Sequence, residues 1–327
     1  MSDIDNASLL ITGGTGSFGQ AFLKKVLNDL QVSRVVIFSR DELKQYEMKV
    51  KFKDDSRLRF FIGDIRDRDR LKLALHGIDF VIHAAALKQV DTAEYNPMEY
   101  VKTNILGSEN VIRASMEAGV KKVVALSTDK ASSPVNLYGA TKLTSDKLFI
   151  SSNHYSAGFD TRLSVVRYGN VMGSRGSVIP FFRKLAEKGD PLPITDERMT
   201  RFWITLPDAV DFVIQTLNTM QGGELFVPRI PSMRVVDLAE AIAPGQERVI
   251  TGIRPGEKLH EEMISVEDAP RTIQDLDRFT VMPTIADWGF SQPLGEKVPE
   301  GFSYTSENNN QWLSVEDLRS TLESLGI

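Results

Sequence analysis

The 327 residues contain no cysteine, which excludes disulfides, thiolate catalysis and cysteine-ligated metals together. Only four histidines are present, so no metal site is expected. Positive charge is not in excess: 39 Lys and Arg stand against 44 Asp and Glu, a net charge of −5 with a pI near 5.6. The chain therefore offers no global basic face to nucleic acid or an anionic membrane, although local clusters can still hold phosphate. Long apolar runs are missing too. The run over residues 7–12 is far shorter than the roughly 20 residues of a membrane helix, and no later stretch qualifies. The N-terminal Met1-Ser-Asp-Ile-Asp-Asn6 carries acids where a signal peptide carries bases. Internal repeats, low-complexity tracts and long charge runs are also absent. These absences point to a soluble cytoplasmic chain with no membrane or nucleic-acid partner. A hydrophobic content of 42% is enough for two domains, or one large domain with an appendage.

What is present is an alternation. Short apolar, β-branched runs at 9–12, 34–38, 58–62, 79–83, 122–126 and 163–168 are separated by helical patterns at 18–30, 41–52, 67–75 and 98–118. The fold class is therefore α/β, with a parallel sheet covered by helices on both faces. After Asn170 the chain becomes turn-rich, at Gly173-Ser-Arg-Gly176, Asp190-Pro-Leu-Pro193 and Arg254-Pro-Gly-Glu257. Residues 206–220 read as a helix and 224–227 as a strand rejoining the first sheet. The expected division is 1–169 with 206–230 as one domain, and 170–205 with 231–327 as a second. Ser314 is placed to cap a closing helix over 314–325.

The first strand runs into Thr12-Gly13-Gly14-Thr15-Gly16-Ser17-Phe18-Gly19. Glycines at 13, 16 and 19 permit a tight turn, close approach of backbone to a pyrophosphate, and close helix–strand packing. The unpaired N–H groups of the following helix then face the phosphates. An acid at the end of the second strand would bind a ribose hydroxyl, whereas an arginine suits a 2′-phosphate. Here Ser39-Arg40, with Lys44 one turn on, favours NADP, and Asp41 reads as a helix cap. Asp64-Ile65, after the third strand, stands where an adenine edge would lie. Ala84-Ala85-Ala86, after the fourth, lets the backbone pass close to the cofactor. His83 before them reads as a packed structural residue.

Tyr138 and Lys142 are four apart, hence on one helical face. A phenol titrates near ~10, and a neighbouring ammonium lowers that value, which makes Tyr138 a candidate general base. Just upstream, Asp129-Lys130 adds a second proton-transfer pair. Alcohol oxidation has no use for it, whereas elimination of water does.

Taken together, the glycine loop, Ala84-Ala85-Ala86, Ser127-Thr128 and Tyr138-x-x-x-Lys142 resemble the extended short-chain dehydrogenase/reductase family. That resemblance implies a doubly wound Rossmann-type domain followed by a smaller C-terminal domain that binds a nucleotide-sugar. It also implies that Thr128 works with Tyr138 and Lys142. Further segments resemble one group in that family, the inverting UDP-N-acetylglucosamine 4,6-dehydratases that open pseudaminic acid biosynthesis. They are Ser39-Arg-Asp-Glu-Leu-Lys-Gln45, Ala125-Leu-Ser-Thr-Asp-Lys130, Asn136-Leu-Tyr-Gly-Ala-Thr-Lys142, Val166-Arg-Tyr-Gly-Asn170, Gly173-Ser-Arg-Gly-Ser177, Met199-Thr-Arg-Phe-Trp203, Arg254-Pro-Gly-Glu-Lys-Leu-His260 and Asn308-Asn-Asn-Gln-Trp312. Lys88-Gln89 departs from the Lys-His of that group.

The resemblance implies UDP-N-acetylglucosamine as substrate, a tightly held NADP recycled in each turnover, and a homo-oligomer, dimeric or hexameric. Lys142 would lower the Tyr138 phenol so that Tyr138 takes the O4 proton. Lys130 would remove the C5 proton if its amine is partly neutral, and Asp129 would protonate the departing O6 hydroxyl. Which of the two is acid and which base is left open, and Lys130 could serve both steps. For substrate binding the resemblance implies Lys88, Thr128, Tyr138, Asn170, Val178, Arg201, Arg254 and Glu257, with Arg201 and Arg254 on the diphosphate. A retaining dehydratase, a UDP-sugar 4-epimerase and a non-catalytic NADP sensor are the rival readings.

Overall fold

A computed structural model describes residues 4–154, 159–173, 177–291 and 293–326. Its first half alternates strand and helix: β1 (Ser8–Thr12), α1 (Ser17–Asp29), β2 (Arg34–Ser39), α2 (Glu42–Lys51), β3 (Leu58–Ile62), α3 (Arg68–Ala74) and β4 (Phe80–His83). Then come α4 (Val90–Tyr95), α5 (Pro97–Tyr100), α6 (Gly107–Glu117), β5 (Lys122–Thr128), α7 (Leu137–Ser151) and β6 (Arg162–Tyr168). The strands lie in the order β3-β2-β1-β4-β5-β6, all parallel. Leu9, Leu10, Ile11, Val35, Ile37, Val81 and Val123 are buried, because helices cover both faces of the sheet. Each such side chain contributes about 1.5–3 kcal/mol by leaving water. The winding reverses between β1 and β4, so a crevice opens there at the carboxyl ends of the strands.

Helix starts follow side-chain chemistry. Asp41 accepts from the Lys44 amide at 3.0 Å and caps α2, and Asn136 accepts from the Gly139 amide at 2.8 Å and caps α7. Helix α1 has no side-chain cap, and Gly16 precedes it. The stretch 98–118, expected as one helix, is divided: a π-turn over Val101–Leu106 separates α5 from α6. Asn104 in that turn points inward and bonds the Leu87 amide and carbonyl, both at 2.9 Å. Satisfying that buried backbone competes with regular helical winding.

The second half continues with β7 (Asn170–Val171), α8 (Val178–Lys188), β8 (Leu192–Ile194), β9 (Thr200–Ile204), α9 (Leu206–Thr219) and β10 (Leu225–Pro228). Strand β10 adds to β6 in parallel. The segments Arg278–Val281, Thr272–Gln274 and Glu296–Lys297 then extend the same sheet in antiparallel fashion. The sequence reading assigns those residues to the second domain. Strands of two to four residues carry no periodicity to read, and what draws them in is the unpaired outer edge of β10.

The remaining chain builds a smaller lobe around β7, β9 and Ser232–Arg234, with its own core of Met172, Ile179, Trp203, Met233, Leu238, Leu318 and Leu322. Its last helix, Val315–Ser324, starts from a capping box between Ser314 and Asp317. Among the described residues no helix is long and apolar enough to cross a membrane.

Candidate active site

One cavity of about 1760 Å³ lies between the two lobes. Its lining includes every residue named above as a catalytic, cofactor or substrate candidate. That volume exceeds the roughly 300–1,000 Å³ of a single-ligand pocket and suits a dinucleotide with a second ligand. Residues 174–176 of the motif 173–177 lie outside the described residues.

The cofactor half fits a dinucleotide. Gly13 has φ +66, and a Cβ there would come within 2.9 Å of the Ala85 backbone, so both the turn and the approach to Ala84-Ala85-Ala86 require glycine. A Cβ on Gly19 would lie 2.6 Å from the Gly14 carbonyl carbon. At the far end Ser39 is buried beside Gln45, and Arg40 is more than half exposed, 3.8 Å from Asp64. Asp41 is used as a cap and as the partner of Lys44 at 2.7 Å. The Asp64 carboxylate accepts from Arg66 at 2.7 and 2.9 Å. His83 sits beneath the loop, with Nδ1 at 2.8 Å from the Thr12 hydroxyl. Burial, with Lys142 nearby, lowers its imidazole to about 3 and keeps it neutral. Among the described residues no group of three acidic or histidine side chains forms a metal site.

The proton-transfer cluster is built by β5, the short turn Asp129–Ala131 after it, and α7. Helix α7 packs directly on that turn because residue 139 is glycine; a Cβ there would overlap the Lys130 carbonyl. Asp129 is fully buried. It accepts from the Thr128 hydroxyl at 2.9 Å and from Lys130 Nζ at 3.1 Å. Thr128 also shares a hydrogen bond with Tyr138. Lys130 Nζ lies 3.2 Å from Glu261 Oε1, and Arg201 Nε stands 3.6 Å behind that carboxylate. All three line the cavity, and Lys130 is the most exposed, with 26% of its side chain accessible against 1% for Asp129 and 3% for Glu261.

Two expectations are corrected here. Burial disfavours the Lys130 ammonium, but the facing Asp129 and Glu261 carboxyls outweigh burial and hold its pKa above the ordinary amine value. Lys130 is therefore charged at rest rather than partly neutral. Lys142 shares the Tyr138 face but donates to the Leu126 carbonyl at 2.7 Å, and burial lowers its pKa. Burial pushes the Tyr138 phenol up to about 12, and the cation that opposes this is Lys130, not Lys142. For the carboxyls, burial raises Asp129 against the pull of Lys130. Burial also works against Glu261, but Lys130 and then Arg201 hold it low.

A third correction concerns the diphosphate. The Arg201 guanidinium donates to the carbonyls of Thr200, Leu259 and Lys258 at 2.7, 3.1 and 3.1 Å. It braces the lobe, with both Nη1 hydrogens and one on Nη2 committed to backbone carbonyls. Arg254 pairs with Glu257 at the rim and is mostly exposed, so it can turn to a phosphate. Lys88 is exposed at the cavity, and partial desolvation of its amine lowers its pKa. Asn170 Oδ1, Ser177 Oγ and Trp203 Nε1 line the same cavity, buried and without a protein partner. Sequence reasoning missed Glu261. It directly follows the 254–260 motif, but nothing local marks an acid whose partner lies on a distant turn.

The profile of the polysaccharide biosynthesis protein family matches residues 9–283. The chain is 54% identical over 320 residues to a Campylobacter jejuni protein named UDP-N-acetylglucosamine 4,6-dehydratase (inverting), covering 95% of this chain and 96% of that one. It is 41% identical over 330 residues to a Rickettsia canadensis protein named UDP-glucose 4-epimerase, covering 97% and 96%. Among solved structures, Pen from Bacillus thuringiensis aligns with a TM-score of 0.89 at 36% identity over 98% of this chain and 99% of that one. The dTDP-glucose 4,6-dehydratase DesIV of Streptomyces venezuelae, solved with NAD, aligns with a TM-score of 0.68 at 26% identity over 77% and 86%.

Proposed function

The chain belongs to the polysaccharide biosynthesis protein family, within the extended short-chain dehydrogenases/reductases, and on that premise we propose that it is an inverting UDP-N-acetylglucosamine 4,6-dehydratase. Its product would be UDP-2-acetamido-2,6-dideoxy-β-L-arabino-hex-4-ulose. The observation that carries this reading is the Asp129–Lys130 pair, 3.1 Å apart, set beside Thr128 and Tyr138 in the shared cavity. Moving a hydride at C4 needs only a base, whereas expelling water across C5 and C6 needs a second proton-transfer unit.

The NADP-type cofactor, when bound, supplies a reversible hydride store beside the hexose. Tyr138 takes the O4 proton, and the Lys130 charge and the Thr128 bond stabilise the phenolate. A ketone at C4 acidifies the C5 proton through its enolate. Lys130, the most exposed member of the trio, handles the C5 proton and the departing O6 hydroxyl. Asp129 holds a proton behind it. The protons taken from O4 and C5 are returned, one in the water that leaves and one at C5 on the opposite face, which inverts that carbon. Arg254 and Lys88 are assigned to the diphosphate, with Asn170, Val178 and Glu257 around the nucleotide-sugar.

NADP is preferred over NAD because the Asp41 carboxylate is occupied as a cap while Arg40 is exposed at the rim. The same reading places the reaction at the entry to pseudaminic acid synthesis, in the cytoplasm, in a homo-oligomer.

A second reading, a UDP-sugar 4-epimerase, is favoured by the name of the Rickettsia relative. Incubation with UDP-N-acetylglucosamine followed by NMR separates the two. A 4-keto-6-deoxy product with inverted C5 supports the dehydratase. A retained C5 makes the enzyme the retaining type, UDP-N-acetylgalactosamine alone makes it an epimerase, and untouched substrate leaves a sensor.

A further inference from the structure

An amine that removes the C5 proton must first lose its own, and in the resting site Lys130 is held as an ammonium between two carboxyls. We propose that Glu261 is the group that takes this proton, freeing the Lys130 lone pair in the closed cavity once Tyr138 has taken the O4 proton and no phenolate is left to hold the Lys130 charge. The proposal rests on the dehydratase reading and adds a residue to it.

The geometry leaves little choice of acceptor. Two carboxyls lie within hydrogen-bond reach of Lys130 Nζ: Asp129 Oδ1 at 3.1 Å and Glu261 Oε1 at 3.2 Å. Asp129 Oδ1, the atom that faces Nζ, already accepts from the Thr128 hydroxyl at 2.9 Å, and a proton placed on it would displace that bond. Glu261 is held ionised. The proton passes to Oε1, which faces Nζ at 3.2 Å; Arg201 Nε stands 3.6 Å off, beyond hydrogen-bond distance, so among the described residues no other hydrogen bond to that oxygen is displaced. The Glu261 backbone is fixed, because its amide donates to Ser306 Oγ at 2.9 Å.

At rest, water reaches Lys130 through the quarter of its side chain that faces the cavity, and the charged pair is solvated from that side. A hexose seated there removes this water. A buried ion pair then loses more solvation than it regains, and a shift of one proton from Nζ to the Glu261 carboxylate turns the pair into a neutral amine and a neutral acid. One N–H bond breaks, one O–H bond forms, and no net charge moves across the site. Other charged groups bear on this balance. Arg201 favours the Glu261 anion, but it also spends donors on three carbonyls. Lys258 acts on Glu261 and is itself faced by Glu262. Glu257 faces Arg201, and Tyr138 is coupled to the trio through Thr128. Glu261 acts through Lys130, the group whose Nζ it faces at 3.2 Å.

The test uses the full chain loaded with NADP, with UDP-N-acetylglucosamine in deuterated water. Two signals are followed separately: reduced-nicotinamide absorbance for C4 oxidation, and deuterium entry at C5 by NMR. With Glu261→Gln, C5 exchange is expected to fall on the order of 100-fold or more, while C4 oxidation stays within about threefold of wild type. Glu261→Asp should recover part of the exchange. A residue that merely placed a charge near Lys130 would give the opposite result. Removing that charge lowers the Lys130 pKa, so exchange would persist with its pH profile moved to lower pH; that outcome overturns the proposal. Should the buried amide prevent folding, Glu261→Asp decides alone, slowed exchange with intact C4 oxidation supporting the proposal and unchanged exchange overturning it. A wild type that oxidises C4 but never exchanges C5 sinks the dehydratase reading instead, and with it the role given to Glu261.

Discussion

Replacing Lys130 with methionine keeps the length of the side chain and removes its charge, which leaves Glu261 buried beside Arg201 alone. Breaking one partner out of a buried ion pair costs about 3–5 kcal/mol. Two features put Lys130→Met at the low end, about 3 kcal/mol: Lys130 is a quarter exposed, and Arg201 Nε still stands 3.6 Å from Glu261. For a chain of 327 residues that corresponds to a fall in Tm of about 4 °C.

The loss has a signature in pH. Glu261 is held low in the folded protein, so its stabilisation is present above the unfolded carboxyl value of about 4.3 and disappears as pH falls through the lower folded value. Lys130 is held high, so its stabilisation is full below the unfolded amine value of about 10.4 and is lost as pH rises through the folded value. In Lys130→Met burial pushes Glu261 upward, and the variant pays for an ionised carboxyl only at pH above that raised value. Losing Lys130 also removes a charge that holds Asp129 down, so burial pushes that carboxyl further up. The gap between wild type and variant should therefore be full near about pH 8 and narrow toward about pH 5. Thermal unfolding at both pH values, with product formation followed by NMR, checks this. Elimination should fall by roughly 10²–10⁴-fold while NADP stays bound. An equal Tm gap at both pH values, or normal turnover, would refute the reasoning.

Three further outcomes are expected. Tyr138→Phe removes the phenol and should slow C4 oxidation by about 10²–10⁴-fold with Tm nearly unchanged; normal single-turnover kinetics would end the base assignment. Arg40→Ala should weaken NADP binding by about 10-fold, the low end for an exposed charged hydrogen bond of about 1.5–3 kcal/mol, and leave NAD binding alone; calorimetry showing equal losses for both would contradict the 2′-phosphate role. Gly19→Ala drives a methyl into the Gly14 backbone, 2.6 Å from its carbonyl carbon, where no flexible side chain can yield. The expected cost is about 1–3 kcal/mol, seen as a lower Tm and a weaker dinucleotide, and an unchanged Tm would count against the packing.

Much of the site could be read along the chain because its parts are local. The glycine loop, the Asn136 cap and the Tyr138–Lys142 spacing each lie within one turn of structure, where sequence distance and spatial distance nearly agree. The errors came where they do not. Lys142 shares the right helical face, yet a carbonyl of β5 claims its amine. Arg201 has the chemistry of a phosphate fork, yet three carbonyls spend its donors. The Met98–Ala118 pattern has helical periodicity throughout, and only contact with Leu87 explains the wider turn at Asn104.

Composition and short-range pattern were sufficient for the alternating strands and helices, the phosphate-binding turn, the helix caps and the candidate side chains that meet in the cavity, since these depend on neighbours within a few residues. The protonation states of those side chains were not accessible that way. Whether Lys130 carries a charge, whether Asp129 keeps a proton and whether Glu261 belongs to the site depend on burial and on partners brought in from a distant part of the second lobe. Electrostatic energy is set by distance through space and by exclusion of water, and a linear chain encodes neither until it has folded.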